Sequence, residues 1–322
     1  MRISIRTLPY AFSLCACTML YSEPSARPVI PSSSRREVIN GWNFIITAEG
    51  LYWIATEDGL YYAQSGRSTD GSTFDGHVER IHPSWRPGFR LGLGGNMPYD
   101  DWVTSLDWTY YSSKKKNENR GSLLLLWTEP DVFASSAKAQ WKLNYDILDF
   151  IIGRPFWAGY RFSIFPFFGV RGAWLDQDFH IQSLSGSSTT NVHLENDFAG
   201  AGIRGGADIR YMLAGNWCFF GLFSGSLVYG HFHLGMKQAN LHSRDGQDQG
   251  LPSVQLAGGV RWDKFFREGA VHLALYAAWE QNYWFNFNKM DHFQGTLHTA
   301  ILLRNNGSLS LQGGTFGLQF FF

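Results

Sequence analysis

The chain has 322 residues with 27 basic and 27 acidic side chains, and it carries 13 Trp, 14 Tyr and 26 Phe beside 35 Gly. The balanced charge excludes the basic footprint of a nucleic-acid binder, and three cysteines are too few for a disulfide framework or a cysteine metal site. Aromatics favour strands and membrane interfaces and glycine favours turns and barrel bends. A mean hydropathy just below zero is compatible with a membrane barrel, whose inward faces are polar.

Arg2 and Arg6 precede an uncharged run from Thr7 to Ser22 that is too short to span a bilayer, the pattern of an export signal. Cleavage after Ala26 assigns 1–26 to the signal and 27–41, rich in Pro, Ser and Arg, to a disordered lead-in. A barrel domain is then expected over 42–322. A competing reading makes Cys17, in Leu14-Cys15-Ala16-Cys17, a lipoprotein acceptor.

From Trp42 the chain alternates with a period of two, the mark of strands with unlike faces. The first expected strand sets Phe44, Ile46, Ala48, Tyr52 and Ile54 against Asn43, Thr47 and Glu49, and a polar segment from Glu57 to Pro83 follows. Trp85, Pro87, Phe89, Leu91 and Leu93 then oppose Arg86, Gly88, Arg90, Gly92 and Gly94. A short turn leads to Leu106, Trp108 and Tyr110, opposed by Val103, Ser105 and Asp107, and a long segment runs from Ser112 to about Ser136. The fourth strand sets Trp141, Leu143 and Tyr145 against Lys138, Gln140, Lys142 and Asn144. Past Ile147 the apolar parity switches to Leu148, Phe150 and Ile152, so keeping Asp149 inside predicts a β-bulge near Ile147.

The fifth strand sets Ile164, Phe168, Val170 and Trp174 against Ser163, Gly169 and Arg171, with Pro166 on the apolar face as an objection to a closed barrel. After a polar segment from Asp178 to Asp197, Ala199, Ala201, Ile203, Ala207, Ile209 and Tyr211 oppose Gly202, Arg204, Asp208 and Arg210. Tyr211 to Met236 has no acidic or basic residue, yet Gly215-Asn216 and the glycines at 221, 225, 230 and 235 rule out a helix. It reads as a strand with Trp217, Phe219, Phe223, Leu227 and Tyr229 on one face. A long segment from Gly235 to Ser253 precedes Val254, Leu256, Val260 and Trp262, which oppose Gln255, Arg261 and Asp263. Val271, Leu273, Leu275, Ala277 and Trp279 oppose His272, Glu280 and Asn282, and a segment from Asn286 to Gly307 leads to the last strand.

That last strand sets Phe316, Leu318, Phe320 and Phe322 on one face. It resembles the C-terminal insertion signal that the barrel assembly machinery reads, whereas an edge strand of a soluble sandwich is the bland alternative. Leu309 and Leu311 fall on the opposite parity, which predicts a bulge at Gly313-Gly314. Long and short connections alternate strictly, with both ends on the short-turn side, the layout of an antiparallel transmembrane β-barrel with brief periplasmic turns and longer extracellular loops. About ten strands are expected, with eight to twelve compatible, and the last strand closes against the first.

The motifs Pro87-Gly88-Phe89-Arg90-Leu91-Gly92-Leu93-Gly94, Trp108-Thr109-Tyr110, Trp141-Lys142-Leu143, Gly153-Arg154 and Phe168-Gly169-Val170-Arg171-Gly172-Ala173-Trp174-Leu175-Asp176-Gln177 resemble the major-outer-membrane-protein-like, pore-forming family of Legionella and the Chlamydiae. The resemblance implies a bacterial outer-membrane location and a porin or adhesin role, and it carries no catalytic residues.

If the apolar faces meet lipid, the opposite faces line the lumen. The candidate pore-lining residues are Glu49, Arg86, Arg90, Asp107, Lys138, Lys142, Asp149, Arg171, Arg204, Asp208, Arg210, Arg261, Asp263 and Glu280. They form either an arginine-rich constriction that passes small solutes or a paired network that fills a narrow barrel. The first makes the protein a narrow pore, the second a plugged surface adhesin or structural barrel whose outer loops bind a partner. Expected partners are outer-membrane lipid and lipopolysaccharide, the assembly machinery and a host-surface ligand; no cofactor or metal is expected. Asp176, Asp178 and His180 suggest a third reading, a rim protease. Gly200-Ala201-Gly202-Ile203-Arg204-Gly205 fits a dinucleotide pattern but lies in a strand. Lys114-Lys115-Lys116 reads as a solvated loop tip that could touch lipopolysaccharide phosphates or glycans, and His231 with His233 as an interface pair.

Overall fold

The structure, a computed structural model, describes residues 43–67, 74–97, 102–127, 133–238, 241–266, 271–294, 301–304 and 306–322. The expected signal peptide, its Cys17 and the lead-in lie outside them. In chain order the strands are β1 (Asn43–Glu57), β2 (Tyr61–Arg67), β3 (Phe74–Arg80), β4 (Trp85–Asn96), β5 (Val103–Leu125), β6 (Phe133–Gly153), β7 (Phe156–Trp157), β8 (Phe162–Ser185), β9 (Ser188–Met212), β10 (Trp217–Gln238), β11 (Leu241–Phe266), β12 (Val271–Asn288), β13 (Asp291–Gln294), β14 (Ile301–Arg304) and β15 (Gly307–Phe321). Ten of them form a closed antiparallel barrel in the order β1-β4-β5-β6-β8-β9-β10-β11-β12-β15, and β15 pairs with β1 to complete the ring. Closure leaves no free edge in the ring, as a lipid-embedded sheet requires. The hairpin β2–β3 adds to the outer end of β5, β7 pairs with the start of β8, and β13–β14 form a separate two-stranded sheet.

Several strands are far longer than the 9–11 or so residues that cross a bilayer: β8, β9 and β11 have 24, 25 and 26 residues. Segments expected as long loops at 112–136, 178–197 and 235–253 are largely continuations of these strands, so the barrel rises beyond the membrane as a tower. The connection from β8 to β9 there is tight. Gly186, at φ +61°, turns β8 into β9 where a side chain would be strained.

Aromatic residues mark where the bilayer ends. Tyr52 stacks on Trp85 at 5.4 Å and Trp85 meets Trp279 edge-on at 5.9 Å, all exposed on the outer wall. Trp108, Trp174 and Tyr229 stand exposed on other strands around the ring, completing the extracellular girdle. Phe44, Tyr211, Trp217 and Phe322 mark the periplasmic end.

Crossing the girdle inverts the pattern. Below it, apolar side chains face out: Leu148 and Phe150 are exposed while Asp149 is buried. Above it, Trp141, Leu143, Tyr145 and Ile147 point inward and are buried, whereas Lys138 and Lys142 are on the outer wall. The pairing of β6 with both neighbours runs through Ile147 without a shift, so the expected bulge there is absent. The bulge expected at Gly313-Gly314 is absent too, since β15 pairs continuously from Leu309 to Phe321 and Leu309 and Leu311 are simply buried inside the tower. In each case the backbone keeps its parity and the surroundings change from lipid to water. Pro166 also fits. The β6–β8 ladder ends at Gly153–Phe167 and β7 resumes at Phe156–Ile164, so the missing N–H falls in a gap.

Candidate functional site: the barrel interior

The interior is a stack of two layers. In the tower, buried apolar side chains from the ring strands form one cluster that includes Trp53, Tyr111, Trp141, Tyr145, Leu175, Phe179, Phe198, Phe232, Trp284 and Phe287. These residues do not merely coat the wall. Tyr145 on β6 meets Trp284 on β12 at 6.2 Å, and Phe232 meets Phe287 at 6.3 Å. Gln177 on β8 reaches Glu57 on β1 at 2.5 Å, and Asn196 on β9 donates to the Phe287 carbonyl at 3.1 Å. The extracellular half of the barrel is therefore packed across its width.

Beneath this plug, at membrane level, lies a layer of ion pairs. Arg90 bridges Glu49 at 2.5 Å and Glu280 at 2.8 Å, and its guanidinium sits 5.8 Å over the Trp53 ring. Glu280 also accepts from Gln255 at 2.6 Å and from Thr315 at 3.0 Å. Gln255 in turn accepts from Arg204, which pairs with Asp149, and Asp149 holds Arg171 through two hydrogen bonds of 2.7 and 2.8 Å. With Thr315 of β15, this unbroken network joins eight of the ten ring strands. Each charge finds an opposite charge and further hydrogen bonds, the condition for burying ions at tolerable cost. Tyr276 donates to Glu49, and its ring lies so close to Gly317 that a Cβ there would fall 2.0 Å away.

Nearer the periplasm, Arg210 pairs with Asp208 at 2.8 Å and Arg261 with Asp263 at 2.9 Å. His272 bonds Asp263 at 2.8 Å and stacks between Phe265 and Phe321. A cavity of about 190 Å³ lies among Arg90, Asp107, Asp149, Arg204, Asp208, Arg210 and Arg261, with Phe165, Phe167, Phe220 and Leu222 as apolar wall. Such a space admits a few waters.

Of the residues read from sequence as pore-lining, Glu49, Arg90, Asp107, Asp149, Arg171, Arg204, Asp208, Arg210, Arg261, Asp263 and Glu280 are brought together inside the barrel. Three are not. Lys138 and Lys142 belong to the tower's outer wall, and Lys142 lies 3.7 Å from Asp178 there. Arg86 is exposed at the outer end of β4, donating to the Lys114 carbonyl at 2.8 Å. Arg86 keeps the inward parity of Arg90, opposite Trp53, but lies at the exposed end of β4. For Lys138 and Lys142 the cause is the assumption that apolar always means outward. The plug aromatics were missed for the same reason, although the parity switches at Ile147 and at Gly313-Gly314 were the visible trace of them.

Asp176, Asp178 and His180 also stand on the outer wall, where His193 lies 4.0 Å from Asp178 and 2.9 Å from Glu195. His231 and His233 have rings 4.5 Å apart, and His231 bonds Asp248 at 2.7 Å. Among the described residues no group of three metal-ligating side chains is assembled.

A family model described as Legionella pneumophila major outer membrane protein precursor matches residues 37–322. No curated protein matches the chain in sequence. Among solved structures it is similar to the outer membrane protease OmpT from Escherichia coli, with 10% identity over 92% of this chain and 99% of that one at a TM-score of 0.39. It is also similar to the Pseudomonas putida toluene transporter TodX, with 11% identity over 88% and 90% at 0.31, and to a Pseudomonas aeruginosa FadL homologue, with 8% identity over 87% and 90% at 0.28. At such scores these likenesses imply nothing about activity.

Proposed function

Because this chain belongs to the Legionella major outer membrane protein family, we propose that it is a surface barrel with a plugged lumen, whose extracellular tower is the working part. The chain is an integral β-barrel protein of the bacterial outer membrane. The observation that supports the plug is the Tyr145–Trp284 contact across the ring, stacked on the ion-pair layer. A conducting pore needs a continuous polar path, and an aromatic constriction of this kind excludes water. In this reading the tower's outer wall and its β2–β3 hairpin meet the partner, and the interior charges hold the barrel rigid rather than select ions. The role is non-enzymatic, with Asp176, Asp178 and His180 serving the outer surface; peptide cleavage abolished by Asp178→Asn would overturn that part.

A narrow pore is the second reading, favoured by the charge-lined cavity at membrane level. Small solutes would then pass only when the plug yields. Planar-bilayer recording on the purified, folded protein decides between the two. The plugged barrel gives no discrete current steps, whereas steady steps from the unmodified chain would establish the pore.

A further inference from the structure

Lys114 and Lys116 are not on a loop tip but on β5, with Lys114 and Lys142 of β6 directly opposite one another in the register. Lys114, Lys116 and Lys138 are exposed on the outer wall. Like charges facing each other across two strands are destabilising on their own. Lys142 has a partial partner in Asp178 at 3.7 Å, and Arg120 is tied to Glu118 at 3.0 Å. Among the described residues Lys114, Lys116 and Lys138 have no ion pair, although Glu118 lies opposite Lys138 in the register.

Position gives this patch its meaning. Lys114 lies four residues beyond Tyr110 and Trp108 lies just below, on the same outward face. That places the ammonium groups roughly 10 Å above the girdle at a rise of about 3.4 Å per residue and a tilt near 40°. Long lysine stems reach back toward the interface, so the charges meet the headgroup layer of the outer leaflet. We propose that the β5–β6 face of the tower binds the phosphates of an outer-leaflet phosphoglycolipid of the lipid A type, one phosphate bridging Lys114 and Lys142 while the acyl chains lie against Trp108, Leu106 and Leu148 below. On the same outward face Ser112, Asn144 and Asp146, the last accepting from Trp108 at 2.6 Å, separate the basic patch from the apolar strip below, a spacing that suits an amphiphile with an anionic head rather than a free anion.

The test uses the full-length barrel folded in a zwitterionic detergent, with bis-phosphorylated lipid A as probe, dephosphorylated lipid A as control, and bound lipid counted by native mass spectrometry. The double variant K114Q/K142Q is expected to bind about tenfold more weakly than the parent, while K264Q at the periplasmic end binds as the parent does. Heat-modifiable gel migration shows that each variant is folded. Equal binding of dephosphorylated lipid A, or undiminished binding by folded K114Q/K142Q, overturns the assignment. Displacement of lipid A by millimolar inorganic phosphate also overturns it, since that would mark a free-anion site.

Discussion

Tyr145 and Trp284 come from strands separated by four others in either direction round the ring, and yet their rings meet edge to face at 6.2 Å, with the indole nitrogen donating to the phenol oxygen at 3.4 Å. Two side chains that span the barrel in this way narrow the lumen at their level. The Arg171 guanidinium, 5.8 Å from the Trp284 ring, ties this contact to the ion-pair layer below.

Removing the contact should open the tower. The Tyr145→Ala, Trp284→Ala double variant is expected to show discrete conductance in planar bilayers where the parent is silent. Each truncation alone should lower stability by about 3–5 kcal/mol, as for other large-to-small changes in a packed core. A folded double variant that stays silent would place the barrier elsewhere in the lumen.

Arg90 is the hinge of the charged layer, since Glu49 and Glu280 both depend on it. Arg90→Ala leaves two buried carboxylates without their cation, a loss of about 3–5 kcal/mol. Adding Glu49→Gln and Glu280→Gln should restore much of that. Urea-unfolding midpoints of the single and triple variants check the sign, and a triple variant less stable than R90A would contradict the pairing.

Glu57 lies in the tower, five residues beyond Tyr52 of the girdle. Burial pushes its carboxyl up from 4.5 to about 8, although Gln177 donates to one oxygen, and the other oxygen has no partner among the described residues. The folded chain therefore keeps a proton that the unfolded chain releases above 4.5. Its contribution is full below that value and is lost as pH rises through about 8. Melting by heat-modifiable migration should fall between about pH 5 and about pH 9 in the parent and fall less in Glu57→Gln. Identical pH slopes in the two proteins would remove Glu57 from the account.

At the seam, Phe322 and Phe44 exchange two backbone hydrogen bonds, 2.8 and 3.1 Å, and their rings lie 6.2 Å apart. Deleting Phe322 removes the last rung where the barrel closes, so folded yield in the outer membrane should drop sharply. Normal assembly of the truncated chain would show that neither the rung nor an insertion signal at Phe316, Leu318, Phe320 and Phe322 is needed.

The alternation in the sequence was enough to determine strand existence, antiparallel order, a ring of about ten strands and the seam between first and last strands, because a lipid-facing strand must show one apolar face and pair both its edges. It also identified most of the buried charges, such as Arg90 and Asp149, which lie between lipid-facing neighbours, and Glu280, which follows the outward Trp279. It could not tell which side of an apolar face is outside. Trp141 and Phe150 are both apolar positions on β6, yet one faces the lumen and the other lipid, because the strand crosses the membrane surface between them. Hydrophobicity is satisfied by lipid below that surface and by the partners across the barrel above it. Only the tertiary structure, by bringing Tyr145 to Trp284 and Lys114 to Lys142, decides which solvent each residue meets.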